Sequence, residues 1–127
     1  MIDRAALPAG SWDEAAEGYE RYFVPRFAPW GATAVSALRG ASLPPGPILV
    51  PCCGTFPELP VLAADHPGRE IVGIDLSAEM AGRARRGQAT DAPDLTARRP
   101  GAAAAVVSVF GLQRLPDPVA ALAGYCR

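Results

Sequence analysis

From Ile48 onward, short apolar runs alternate with helix-like stretches, and this alternation restricts the fold more than any other feature of the chain. Ile48-Leu49-Val50 reads as a buried strand that enters a turn at Pro51-Cys52-Cys53-Gly54-Thr55. Glu58 to Ala64 reads as a helix, with Pro60 tolerated in its first turn because that position needs no backbone donor. Pro67-Gly68 forms a turn, and Ile71-Val72-Gly73-Ile74 is a second strand ending at Asp75. Ser77 caps a helix from Ala78 to about Arg86. Leu95 to Arg98 is expected as a short third strand and Ala104 to Phe110 as a fourth, with Asp117 capping a last helix, Pro118 to Tyr125. Strands and helices in this order imply βαβ units and a parallel sheet. In such sheets ligands bind beyond the C-terminal strand ends, where the strand order reverses.

The first 44 residues follow a different pattern. Ser11, Trp12, Asp13 and Glu14 look like a helix start, with a hydroxyl cap and Glu14 at capping-box spacing. That helix places Trp12, Ala15, Ala16, Tyr19, Tyr22 and Phe23 on one broad face, as core or as a lid. Pro25 and Pro29 are expected to break or bend it, and a second helix to run from about Trp30 to Leu38 and stop near Arg39-Gly40. Ser42 to Pro47 (SLPPGP) is a rigid connector. The expected organisation is therefore a helical cap over residues 1–44 and an α/β unit over 45–127.

Composition narrows the function. The chain has 127 residues, half of them hydrophobic and 20% charged, with a net charge of −1, which is globular composition. That balance offers no case for a nucleic-acid or anionic-membrane partner, which calls for clustered surplus cations. All twelve cations are arginine, so lysine Schiff-base chemistry is excluded. The N-terminus lacks a charged stretch leading into an apolar run, and Ala102 to Phe110 is about half the roughly 20 residues a membrane span needs. Three cysteines, two of them adjacent, make no disulfide framework. A cytoplasmic protein is expected.

Two positions could carry ligand chemistry. Gly54 in the first turn lets a ligand approach bare backbone, and Asp75 follows it by 21 residues at the end of the second strand. A gap of roughly 20 residues separates a nucleotide-binding glycine turn from the acid that holds a ribose. By spacing alone, Gly54 reads equally as a turn glycine and Asp75 as a cap of the following helix. Cys52 and Cys53 lack metal-ligand spacing and read as small buried hydrophobes. His66 sits at the N-terminal edge of the second strand, away from any such site. Arg83, Arg85 and Arg86 read as a solvated helix face.

The runs ILVPCCGTFPEL, IVGIDLSAEMAGRAR and AAVVSVFGLQRLPDPVAAL resemble class I S-adenosylmethionine (SAM)-dependent methyltransferases. The resemblance covers about Pro47 to Arg127, and WDEAAEGYERYF is similar to the aromatic helix that covers the cofactor in many members. It implies an incomplete, Rossmann-like parallel sheet of about four strands behind an N-terminal helical segment. It also implies methyl transfer from SAM to a small-molecule acceptor, with S-adenosylhomocysteine as product. The cofactor-binding residues it implies are Pro51, Cys52, Cys53, Gly54 and Thr55 in the turn, Asp75, Leu76 and Met80 in the second segment, Ser108 and Phe110 after the fourth strand, and Tyr22 from the covering helix. No catalytic residue is assigned, because the transfer depends on positioning and desolvation.

The chain departs from the family in three ways. Val50 stands where the family has an acid, and Cys52 and Phe56 stand at the first and third glycines of its acid-x-G-x-G-x-G turn. The acid that contacts adenine is either supplied by Asp91 or Asp94 or absent. The chain stops after about four strands, so a second polypeptide or a second copy is expected to cover an open sheet edge. These departures favour an alternative, a degenerate non-catalytic subunit or scaffold. A nicotinamide-dependent oxidoreductase is disfavoured by the lack of G-x-G-x-x-G.

Overall fold

The computed structural model of the chain describes residues 9–86, 103–115 and 117–125. Its elements are α1 (Ala9–Gly18), a π-helical turn (Tyr19–Phe23), α2 (Val24–Ser36), β1 (Ile48–Pro51), α3 (Leu59–Asp65), β2 (Ile71–Ile74), α4 (Ala78–Arg86), β3 (Ala105–Val106), a 3₁₀ turn (Leu112–Arg114) and α5 (Pro118–Tyr125). The architecture is α/β with a parallel sheet, as the alternation requires. Among the described residues the sheet has three strands in the order β2-β1-β3, with Ile48 beside both Ile71 and Ala105. The strand expected at Leu95 to Arg98 lies outside the described residues.

The strand sequences explain the sheet. The Pro-rich connector cannot form helix, and Ile48, Leu49 and Val50 are apolar residues that pack well on a pleated surface. All four residues of β1 are buried, as suits a central parallel strand covered on both faces. Val35 of α2, Leu62 of α3, Ala84 of α4 and Val107 close over Ile48, Val50, Phe56 and Ile71 to form the core. Burying each large side chain contributes roughly 1.5–3 kcal/mol, so this cluster outweighs surface pairs such as Arg39 with Asp65 at 3.1 Å.

The N-terminal segment differs from expectation. The helix already exists at Ala9, so Ser11 lies within it and does not cap it. The helical path also continues through Pro25 and Pro29. A π-turn, closed by the Val24 N–H on the Tyr19 carbonyl, stands directly before Pro25, which takes a first-turn position of α2. Near the prolines, side chains donate to main-chain oxygens: Arg26 to Tyr22 at 2.7 Å and Thr33 to Pro29 at 3.0 Å. The buried face is narrower than expected. Ala16 is fully buried, whereas Ala15, Tyr22 and Phe23 are exposed.

Asp13 ties this segment to the sheet layer. Its carboxylate accepts from the Ser77 hydroxyl at 2.5 Å and the Glu79 N–H at 3.0 Å, so an acid of α1 helps to cap α4. Those two bonds hold the Asp13 carboxyl below its ordinary value, the hydroxyl contributing most. Ser77 itself accepts from the Met80 N–H at 3.1 Å and caps α4 as expected. Arg83, expected on a solvated face, instead pairs with Glu20 at 2.8 Å and with Glu79 at 3.1 Å.

The last strand is shorter than expected. Ladder bonds from Ala104 N to the Pro47 carbonyl and from Val107 N to the Leu49 carbonyl, each 2.8 Å, limit its pairing. Beyond Val107 the chain turns away, with Phe110 in a left-handed conformation at φ 58°. The following helix matches expectation, with Asp117 accepting from the Ala120 N–H at 2.9 Å. No helix among the described residues is long and apolar enough to cross a membrane.

Candidate functional site

The order β2-β1-β3 makes β1 the point where the chain's connections reverse, so a crevice belongs at its C-terminal end. The turn after β1 forms that edge. Its backbone is left-handed at every second residue: Cys52 at φ 54°, Gly54 at 57° and Phe56 at 61°. Glycine reaches this region freely, whereas a residue with a Cβ is destabilised there by roughly 1–2 kcal/mol. The turn therefore holds a shape suited to three glycines while carrying only one.

Hydrogen bonds to β2 hold that shape. Cys53 N donates to the Ile74 carbonyl at 3.0 Å, and Phe56 N to the Cys53 carbonyl at 2.9 Å. Gly54 N donates to Asp75 Oδ2 at 2.8 Å, and Ser77 N donates to Asp75 Oδ1 at 2.9 Å. The structure thus joins the two residues singled out by their spacing. Asp75 also performs the helix-entry role that the spacing left open. A carboxylate has about four acceptor positions, so each oxygen keeps capacity for a further donor.

Below the turn lies a cavity of about 40 Å³, lined by Tyr19, Phe27, Cys52, Cys53, Glu58 and Phe110 among others. It holds space for little more than solvent, since small-molecule sites run to roughly 300–1,000 Å³. The three aromatic rings that line it belong to a longer row. Trp12, Tyr19, Phe23, Phe27 and Phe110 form a continuous row, with centroids 4.6–6.0 Å apart from each ring to the next. Cys52 also fills room: a Cβ added to Gly111 would lie 2.6 Å from the Cβ of Cys52.

Burial dominates the electrostatics of the cavity lining. Burial, with a contribution from nearby Asp75, pushes the Cys52 thiol up, and Cys53 rises further for the same reasons. Both thiols stay protonated, which fits small hydrophobes and not nucleophiles. Burial also pushes the Glu58 carboxyl up, and its Oε2 is buried without a hydrogen-bond partner. The buried hydroxyl of Ser108 is likewise without one. No cluster of three or more His, Cys, Asp or Glu residues among the described residues could hold a metal.

The residues implied by the family resemblance divide into two groups. Cys52, Cys53, Gly54, Asp75 and Phe110 lie at the turn and cavity, with buried Pro51 leading into the turn and half-buried Thr55 inside it. Ser108 is close to Gly111, its hydroxyl 3.2 Å from where a Cβ there would lie. Three others stand apart from the cavity lining. Leu76 is 83% exposed, Met80 is buried on the inner face of α4, and Tyr22 faces outward with Arg26 stacked 3.5 Å above its ring. Tyr19 occupies the lining position expected of Tyr22, because the π-turn rotates the aromatic face. Sequence reasoning missed Glu58 and Phe27. Glu58 was legible only as the start of a helix, although an acid so close to a ligand-type turn is a usable signal.

Comparison of the chain with protein-family profiles, curated proteins and solved structures yields no match in any of the three.

Proposed function

We propose that the chain is a Rossmann-like, adenosyl-binding unit that transfers a methyl group from SAM to a small-molecule acceptor. The observation that carries this reading is the joined pair at the strand ends. Asp75 is hydrogen-bonded to Gly54 in a turn whose left-handed positions, 52, 54 and 56, coincide with the glycine positions of the family it resembles. Asp75 would accept the two ribose hydroxyls with its remaining lone pairs, and the turn would lie along the adenosyl group. When bound, SAM supplies an electrophilic methyl on a sulfonium. The chain's own residues would exclude water through the aromatic row and orient the ligand by the turn. Opening is required, because an adenosyl group exceeds the present cavity. Phe110, 43% exposed at the rim, is the ring best placed to withdraw.

A second reading is favoured by the closed crevice and by the two internal bonds already made by Asp75: a non-catalytic, methyltransferase-like subunit. Calorimetric titration with SAM and S-adenosylhomocysteine separates the two, since the second reading predicts no heat of binding from either. Deleting the ligand's hydroxyls avoids disturbing the structural bonds of Asp75. Hydrogen bonds to a charged group contribute about 1.5–3 kcal/mol each, so the 2′,3′-dideoxy analogue should bind at least tenfold more weakly. Equal affinity for both ligands would remove the ribose role from Asp75.

A further inference from the structure

The cavity beneath the turn has a composition of its own. Glu58 contributes a carboxylate oxygen that is buried and has no partner, and no basic side chain is among the lining residues. Around it stand the rings of Tyr19, Phe27 and Phe110, with Phe27 and Phe110 tilted against each other at 4.6 Å. Apolar Val24, Val50 and Val109 complete the wall. A buried acceptor left unpaired is destabilising by roughly 1–3 kcal/mol, and more when it is charged, so a donor that reached Glu58 from the cavity it lines would be stabilising there.

The donor that suits the place is small and cationic. A carboxylate among aromatic faces attracts an ammonium group twice, through charge-assisted hydrogen bonding and through the ring quadrupoles. A neutral alcohol can donate one hydrogen bond but lacks the positive charge that the carboxylate and the ring faces attract. An anion is repelled by Glu58. The volume of about 40 Å³ admits a head group of a few heavy atoms and no more.

We infer that this cavity is a binding subsite for the ammonium head of a small amine, with Glu58 as its anionic partner and Tyr19, Phe27 and Phe110 as its aromatic wall. The inference does not rest on adenosyl binding. It is tested on the full chain without SAM or its product. Methylammonium is titrated at pH 8 and constant ionic strength, with methanol as a neutral probe of matching size, while ring and amide shifts are followed by NMR. Methylammonium should give saturable shifts confined to Glu58, Tyr19, Phe27 and Phe110, and methanol should not. Glu58→Gln keeps the shape and removes the charge, and should weaken methylammonium at least tenfold. Phe110→Leu provides an independent variant and should weaken it about two- to fivefold through loss of one ring face. Absence of saturable shifts in the wild type, or an unchanged midpoint in Glu58→Gln, overturns the inference and leaves a water-filled cavity. Methylammonium binding without S-adenosylhomocysteine binding supports the subsite while rejecting the methyltransferase reading, and the converse outcome does the reverse.

Discussion

Cys52 is the residue at which the strain of the turn can be measured. Its φ of 54° puts a side chain where glycine is favoured. Cys52→Ala keeps the Cβ and therefore the left-handed penalty, roughly 1–2 kcal/mol. Cys52→Gly removes that penalty but adds unfolded-state freedom of roughly 0.5–1 kcal/mol and loses the packing of a half-buried methyl-sized group. The balance places glycine above alanine by about 0.5 kcal/mol. At an ordinary strand or helix position the order is reversed by roughly 0.5–1 kcal/mol, so the sign itself is diagnostic. Urea denaturation followed by circular dichroism reads the difference as a midpoint about 0.3 M higher for Cys52→Gly than for Cys52→Ala, at equal slopes. The glycine variant should also bind S-adenosylhomocysteine more tightly than the wild type, because the Cys52 side chain no longer occupies the space beside Gly111. An alanine variant more stable than the glycine variant would refute the reading of a strained glycine-type turn.

Three other substitutions probe the supports of the site. Gly73→Ala should destabilise by about 1–3 kcal/mol in the same urea assay, because its Cβ would lie 2.7 Å from a Phe56 ring carbon and 2.9 Å from the Cys53 sulfur. Glu58→Gln should change how stability depends on pH. The folded carboxyl lies above its ordinary value of 4.5, so its contribution is complete below that pH and declines as pH rises through the raised value. The variant should therefore lack this decline and exceed the wild type in melting temperature at pH 8. Asp13→Ala should lower the melting temperature at neutral pH by unfastening α1 from the start of α4. Because the Asp13 carboxyl is held below 3.8, that deficit should shrink as pH falls through and below this value, which thermal scans between pH 2 and pH 7 would show.

Much of the sheet layer was legible because its signals are local. Ile71 to Ile74 forms a strand with the expected bounds, and Ser77 and Asp117 cap the helices expected after them. The closeness of Gly54 and Asp75 follows from their spacing, since two adjacent parallel strands bring their ends together, whereas their direct hydrogen bond was not expected. The N-terminal segment was not. Proline rules favour a break at Pro25 and Pro29, but the π-turn lies in front of the first proline, and no short-range sequence pattern announces it. That insertion moved Tyr19 to the cavity and Tyr22 to the surface. Asp13 looked like a first-turn acid, yet its partners lie 64 and 66 residues away, beyond the reach of local reasoning.

The turn also shows why a missing glycine need not mean a missing shape. Conformation at positions 52 and 56 is set by neighbours as well as by intrinsic preference. Cys53 N is bonded to the end of β2, Gly54 N to Asp75, and Phe56 is 4% exposed against Gly73. Burying Phe56 contributes roughly 1.5–3 kcal/mol, enough to offset a left-handed penalty of similar size at the same residue. At Cys52 no comparable gain exists, because its side chain is only half-buried. Strain that persists without local compensation must be held by the framework on either side, here β1 and the Asp75 carboxylate. The two non-glycine positions are therefore unequal. Phe56 is a core residue that tolerates its backbone, whereas Cys52 keeps a left-handed backbone with a side chain that is only half-buried.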